Sequence, residues 1–305
     1  MAPRLGLGGG VTADPASGLF ASTPLLLDTY PNAHRAYSVR KLRTEYTGYA
    51  MKVRESGNDY TADVAFDDDG LVSASSKVYN PTGGVSDGDA LSTFMSMNNG
   101  FVTTWYDQSG EGSNATQSSA PAQPKIWDSS GGLNTEGSPA RAALLFDGSN
   151  DYLTVSPVGL SLGSTTIFSV MSHGSGTVNG VWTLSFSSGV YVMHYVQSSE
   201  DQYWYENGDV ASHYPVNTSQ TLFSYTSGSG TDKQILYANG TPSSEKGDST
   251  ATTSFYNDSY NGLGTLYNYS LHYPGEFQEF IVYDSDQSSN LSDIESDITT
   301  AFDIS

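Results

Sequence analysis

The amino-acid sequence points to an all-β fold, an antiparallel sandwich with a few short helices, and three features carry that expectation. The polar residues are Ser, Thr, Gly, Asn and Tyr rather than Lys and Glu, and only 15% of the chain is charged. Such a profile depletes helix formers and enriches strand and turn formers. Beyond residue 100, short aromatic or β-branched runs are separated by Gly/Asn/Asp/Ser turns at regular intervals, with no βαβ alternation to suggest a parallel sheet. The 305 residues are 37% hydrophobic and 12% aromatic, enough to bury a core and unlike an acidic disordered tail.

Residues 1–30 are broken by Gly6, Gly8, Gly9, Gly10, Pro15, Gly18 and Pro24, so the expectation there is an extended arm. It would gain order by burying Leu5, Leu7, Leu19, Phe20, Leu25, Leu26 and Leu27 on a partner. Residues 31–305 are expected to form one sandwich domain. Ala36, Val39, Leu42 and Tyr46 stand at helical spacing, which predicts a short helix over 33–46 ended by Gly48. Ala50 to Arg54 alternates as a half-buried strand does. The acidic start of Asp87 to Met97 suits a second short helix. Strands are then expected at 101–106, 142–146, 152–155, 165–171, 181–186, 190–196, 202–205, 222–226, 234–238, 261–265 and 276–283. Leu291, Ile294, Ile298 and Phe302 predict a closing helix over 290–302.

Composition excludes several function classes. Twelve Lys+Arg stand against 33 Asp+Glu, a formal net charge of −21, which repels the phosphates of a nucleic acid over most of the surface. The absence of cysteine rules out disulfides, thiolate metal sites and a cysteine nucleophile. No run approaches the roughly 18 apolar residues that cross a bilayer as a helix, so membrane insertion is not expected. Residues 1–54 hold seven cations against three anions, leaving five against thirty in residues 55–305. That basic opening fits either docking on an acidic partner or one solvated face. No cofactor or metal is expected. Asp67-Asp68-Asp69-Gly70 lacks the spaced ligands of a calcium loop and reads as a solvated acidic turn. The five His never reach metal-ligand spacing, and Ser109 has no identifiable base.

Two blocks carry a family resemblance. Residues 33–48, Ala-His-Arg-Ala-Tyr-Ser-Val-Arg-Lys-Leu-Arg-Thr-Glu-Tyr-Thr-Gly, continuing to Val53-Arg54, resemble the opening of α-L-arabinofuranosidase B catalytic domains. Tyr106-Asp107-Gln108-Ser109-Gly110, followed by Asn114-Ala115-Thr116-Gln117, is similar to a second block of that family, in the same order. The likeness covers residues 33–147. The remainder resembles concanavalin A-like lectin/glucanase sandwiches through Leu144-Leu145-Phe146-Asp147-Gly148, Ile235-Leu236-Tyr237-Ala238-Asn239-Gly240 and Gly275 to Tyr283. The fold implied is a concanavalin A-like jelly roll, two antiparallel sheets packed face to face. The combination of this front half with a short glycine-rich start also resembles bacteriophage virion proteins.

Glycoside hydrolysis needs two carboxylates across the scissile bond, and the family pattern that supplies them is absent. Residues 190–196 hold no carboxylate before Glu200-Asp201, residues 261–268 hold no Asp, and the family's vicinal cysteines are impossible here. Asp107 reads as a turn former. The sequence therefore leads to the expectation of no catalytic residue and no enzyme. It favours a virion structural protein of bacteriophage, a capsid decoration, head-fibre or tail-fibre component. Such a protein would be made in the host cytoplasm without a secretory leader, with other virion proteins as partners and itself as a homo-oligomer. A glycoside hydrolase acting on arabinose-containing polysaccharide is the first alternative, and a free lectin the second. A glycan could stack on Tyr203, Trp204 and Tyr205 beside Glu206 and Asn207. Strand alternation instead offers some of these rings to the core, and both readings stand at this point.

Overall fold

The computed structural model describes residues 24–156, 164–174, 178–185, 191–197, 201–206, 209–215, 218–227, 234–243, 261–266 and 271–305. In chain order the front half contributes α1 (Leu26–Thr29), β1 (Arg35–Ser38), β2 (Met51–Glu55), β3 (Thr61–Val64), β4 (Val78–Tyr79), α2 (Leu91–Met95), β5 (Gly100–Trp105), β6 (Ala115–Thr116) and β7 (Lys125–Asp128). Next come β8 (Leu144–Asp147), β9 (Leu153–Thr154), β10 (Thr166–His173), β11 (Val178–Ser185), β12 (Tyr191–Gln197), β13 (Asp201–Glu206) and β14 (Asp209–Pro215). The principal elements close with β15 (Thr221–Ser227), β16 (Gln234–Ala238), β17 (Gly262–Leu263), β18 (Pro274–Tyr283) and α3 (Leu291–Phe302).

Every pairing among these strands is antiparallel, and they form two ladders. In the first, β18 takes β1 and β8 in succession along one edge and β10 along the other, and β10 leads to β15 and β16. The second runs β4–β3–β2–β5–β6–β9–β17–β11–β12–β13–β14. β7 pairs with both β5 and β8 and so joins the two. Their inner faces meet through aromatic contacts. Tyr37 of β1 lies 5.9 Å from Trp105 of β5, Phe280 of β18 lies 5.3 Å from Trp182 of β11, and Phe223 of β15 lies 5.1 Å from His194 of β12. Ring pairs at these separations fill the core with large apolar area at favourable edge or tilted geometry. Gly264, at φ +82°, lets the Phe146 ring come so close that a Cβ would stand 2.2 Å from it.

The expected helix over 33–46 does not form. Arg35–Ser38 instead pairs residue by residue with Glu279–Val282 and is buried throughout. The apolar spacing there reflects burial between sheet and loops, and partners some 240 residues away override a local helical preference. The second expected helix shrinks to α2, because Gly88 at φ +87° and Ser96 at φ +50° bound it. The closing helix stands as α3, with Leu291, Ile294, Ile298 and Phe302 buried.

The arm also needs correction. Leu25 precedes α1, and Leu26 and Leu27 are 1% and 3% exposed inside this chain's own core. Leu27 N–H donates to the Leu42 carbonyl at 2.8 Å. The Asp28 carboxylate accepts from the Leu25 and Thr44 amides, so the segment is clasped to the sandwich rather than kept for a partner. Leu5, Leu7, Leu19 and Phe20 lie outside the described residues.

Candidate functional site

The outer face of β2, β3 and β5 carries the groups that chemistry can use. β2 alternates, with Met51, Val53 and Glu55 buried and Lys52 and Arg54 facing outward. Its register sets Arg54 opposite Phe101, and the guanidinium sits 5.0 Å from the centre of that ring, a cation–π arrangement. Arg54 Nε donates to Gln123 Oε1 at 2.8 Å, and Nη1 reaches Asp59 at 2.7 Å. Beside this pair a cavity of about 370 Å³ is lined by Phe101, Gln123, Lys125, Leu145, Asp147 and Asp151, within the size range of sugar-sized sites.

Two carboxylates meet there because the chain turns sharply after β8. Asp147 ends that strand, and its Oδ1 accepts the Ser149 amide at 2.8 Å and the Asn150 amide at 3.2 Å, closing an Asx turn. Asn150 Nδ2 ties the turn to the Pro121 carbonyl at 2.7 Å. Asp151 then folds back, and its Oδ2 accepts the Asp147 amide at 3.0 Å. Only 6% of Asp151 is exposed. Burial, and after it the neighbouring Asp147 charge, push its carboxyl up to about 7, against the opposing pull of the Asp147 amide and Lys125. A carboxylic acid that holds its proton near neutrality beside a second carboxylate is the arrangement in which one group donates a proton while the other carries charge.

Other carboxylates serve the frame. Glu279 accepts from Arg40 Nε at 2.8 Å, Arg40 Nη2 at 3.0 Å and the Ser38 hydroxyl at 2.7 Å, while Arg40 Nη1 reaches Asp297 of α3 at 2.8 Å. Asp107 accepts the amides of Ala36, Ser109 and Ser113, the turn-forming role expected of it. Asp67 Oδ1 accepts the amides of Asp69 and Leu71, closing its own turn.

The glycan-stacking residues expected from sequence fall on β13, whose backbone pairs Tyr203 with Tyr195, Trp204 with His194, Tyr205 with Met193 and Glu206 with Val192. Their side chains, and Asn207 altogether, lie outside the described residues. They are not brought to the Asp147–Asp151 cavity by any pairing described. Among the expectations drawn from the sequence, Asp147 figures only within the Leu144–Gly148 fold signature, and Asp151 does not figure. The signal was present in Asp147-Gly148-Ser149-Asn150-Asp151, a tight turn that returns a second carboxylate beside the first.

No family model matches this chain, and no curated protein matches it. Among solved structures it shares its fold with an arabinofuranosidase complexed with arabinofuranosyl-α-1,2-xylobiose, at a TM-score of 0.61 and 14% identity, over 91% of this chain and 64% of the other. A GH54 α-L-arabinofuranosidase soaked with a cyclic sulfate inhibitor gives 0.62 and 13% over the same shares. The chain thus spans 64% of the length of those proteins, and at such identity the likeness establishes the sandwich fold. The expectation of no enzyme is corrected to this extent: the structures that share the fold are of enzymes, arabinofuranosidases. That expectation rested on one spacing pattern of carboxylates, and a turn can pair carboxylates without showing that pattern.

Proposed function

We propose that the protein is a carbohydrate-active enzyme, a glycoside hydrolase acting on arabinose-containing polysaccharide. The observation that carries this reading is the buried Asp151 acid beside Asp147 in a cavity lined by Phe101. The fold shared with arabinofuranosidases supports the substrate class. In this reading Asp151 delivers its proton to the glycosidic oxygen as the C–O bond breaks and the alcohol departs, ionised Asp147 stabilises the positive charge that develops on the sugar, and water then adds to that carbon, returning a proton to Asp151. The apolar ring of Phe101 lies under the sugar's C–H face, and Lys125 offers a donor to its hydroxyls. Action on or from a virion, with other virion proteins as partners and in a homo-oligomer, belongs to the same proposal. Its support is the acidic, Ser/Thr/Asn/Tyr-rich composition, and protein mass spectrometry of purified particles tests it.

The test of the reaction is release of arabinose from arabinan, or of 4-nitrophenol from its arabinofuranoside, by the purified chain. Asp151→Asn keeps the shape and removes the proton, so the rate is expected to fall about 100-fold or more. A general acid must be protonated, so wild-type activity should decline as pH rises through about 7. Full activity in Asp151→Asn defeats the assignment.

A further inference from the structure

Three tyrosines gather on the same outer sheet face, away from the carboxylate cavity. The rings of Tyr49 and Tyr79 are stacked, with centres 5.7 Å apart and planes 29° from parallel, and Tyr106 lies 6.4 Å from Tyr49. All three are half-buried, so each keeps ring surface open to solvent. Their polar surroundings are ordered. Tyr106 Oη donates to Asp63 Oδ1 at 2.6 Å, Asn80 Nδ2 donates to Asp63 Oδ2 at 2.9 Å, and Lys52 Nζ stands 3.7 Å from Asp63 Oδ1.

Position links this cluster to the cavity. Phe101, which lines the cavity, is the second residue of β5, and Tyr106 directly follows that strand's end. With one residue bulged between them and a rise of about 3.3 Å per residue, the two lie about 13 Å apart along the strand. Lys52 pairs with Asp63 and Arg54 with Asp59 along the way. The face is therefore locally balanced in charge on a chain of net −21, which favours an uncharged ligand over a polyanion.

We propose that Tyr49, Tyr79 and Tyr106 form a second subsite that holds a neutral polysaccharide chain several sugar residues away from the Asp147–Asp151 cavity. Sugar C–H faces stack on the tyrosine rings, while Asn80 and Lys52, both held by Asp63, meet the hydroxyls. The inference rests on the hydrolase reading for its orientation along β5, yet it is separable from that reading by experiment.

The experiment is affinity electrophoresis and calorimetry of the full chain with soluble linear arabinan, alongside hydrolysis of 4-nitrophenyl arabinofuranoside. Tyr79→Ala and Tyr49→Ala are each expected to weaken arabinan binding about tenfold, roughly the effect of losing one stacked ring. Tyr79→Phe, which retains the ring, should bind as wild type. Turnover of the small arabinofuranoside should be the same in all of them, while KM for the polymer rises in the alanine variants. Arabinan retained through the tyrosines by a chain that releases no arabinose upholds the subsite and removes the reaction. Small-substrate turnover with polymer binding unchanged in a natively folded Tyr49→Ala/Tyr79→Ala variant removes the subsite and leaves the reaction. Failure of wild type to bind arabinan also overturns the subsite.

Discussion

Glu279 on β18 and Asp151 after β8 are both buried carboxylates, but their two regions treat the charge in contrasting ways. Glu279 is met by two guanidinium nitrogens of Arg40 and by the Ser38 hydroxyl, so its negative charge is compensated where it is buried. Asp151 receives one backbone amide and has a like charge, Asp147, as its neighbour. A paired buried charge holds structure in place, whereas an unpaired one keeps its proton and becomes available for chemistry. Burial alone does not separate frame from site; the identity of the partner does.

Removing the partner is the most severe way to break this contrast. Arg40→Met leaves Glu279 buried without its cation, and stability should fall by about 3–5 kcal/mol in urea unfolding. Glu279 would then resemble Asp151, and a double variant Arg40→Met/Glu279→Gln should recover part of the loss, which a thermodynamic cycle measures.

The reverse holds at Asp151. Its folded carboxyl sits at about 7 against 3.8 for the free side chain, so the folded state holds a proton that the unfolded chain gives up. Stability from this group is present below about pH 4 and is lost as pH rises through about 7. Asp151→Asn should therefore stabilise the protein at pH 8 by up to about 4 kcal/mol and flatten the pH dependence between 4 and 7. A stabilising substitution that abolishes turnover would set this site apart from the Glu279 network, where substitution only weakens the fold.

Asp28 offers the smallest effect and sharpens the comparison from the surface. Its exposed carboxylate is held below the usual range, first by the Thr44 hydroxyl and also by the amides of Thr44 and Leu25. The sign is opposite to that of Asp151: the contribution is present above about pH 4 and is lost as pH falls through the lowered value. Asp28→Ala should cost about 1 kcal/mol, and amide hydrogen exchange should localise the loss to α1 and Thr44.

Much of the fold was legible because sandwich strands announce themselves locally. The run at 234–238 and the apolar spacing of α3 match the structure closely, since alternation, turn residues and helical period all lie within a dozen residues. β1 was not legible: Ala36, Val39 and Leu42 satisfy a helical template, and only the long-range pairing with β18 makes the segment a strand. Leu26 and Leu27 looked free because nothing in residues 1–30 provides a core, while the surface that buries them comes from elsewhere in the chain.

By itself the sequence determined the class of fold, the exclusion of thiol chemistry and the acidic, strand-forming surface, because composition and short-range periodicity suffice for these. Tertiary structure alone decided which carboxylates matter. Glu279 finds Arg40 across 239 residues of chain, and Asp151 holds its proton because β5, β7 and β8 converge around it. A pKa is set by solvent exclusion and by charges close in space, and neither quantity is written in the order of neighbouring residues.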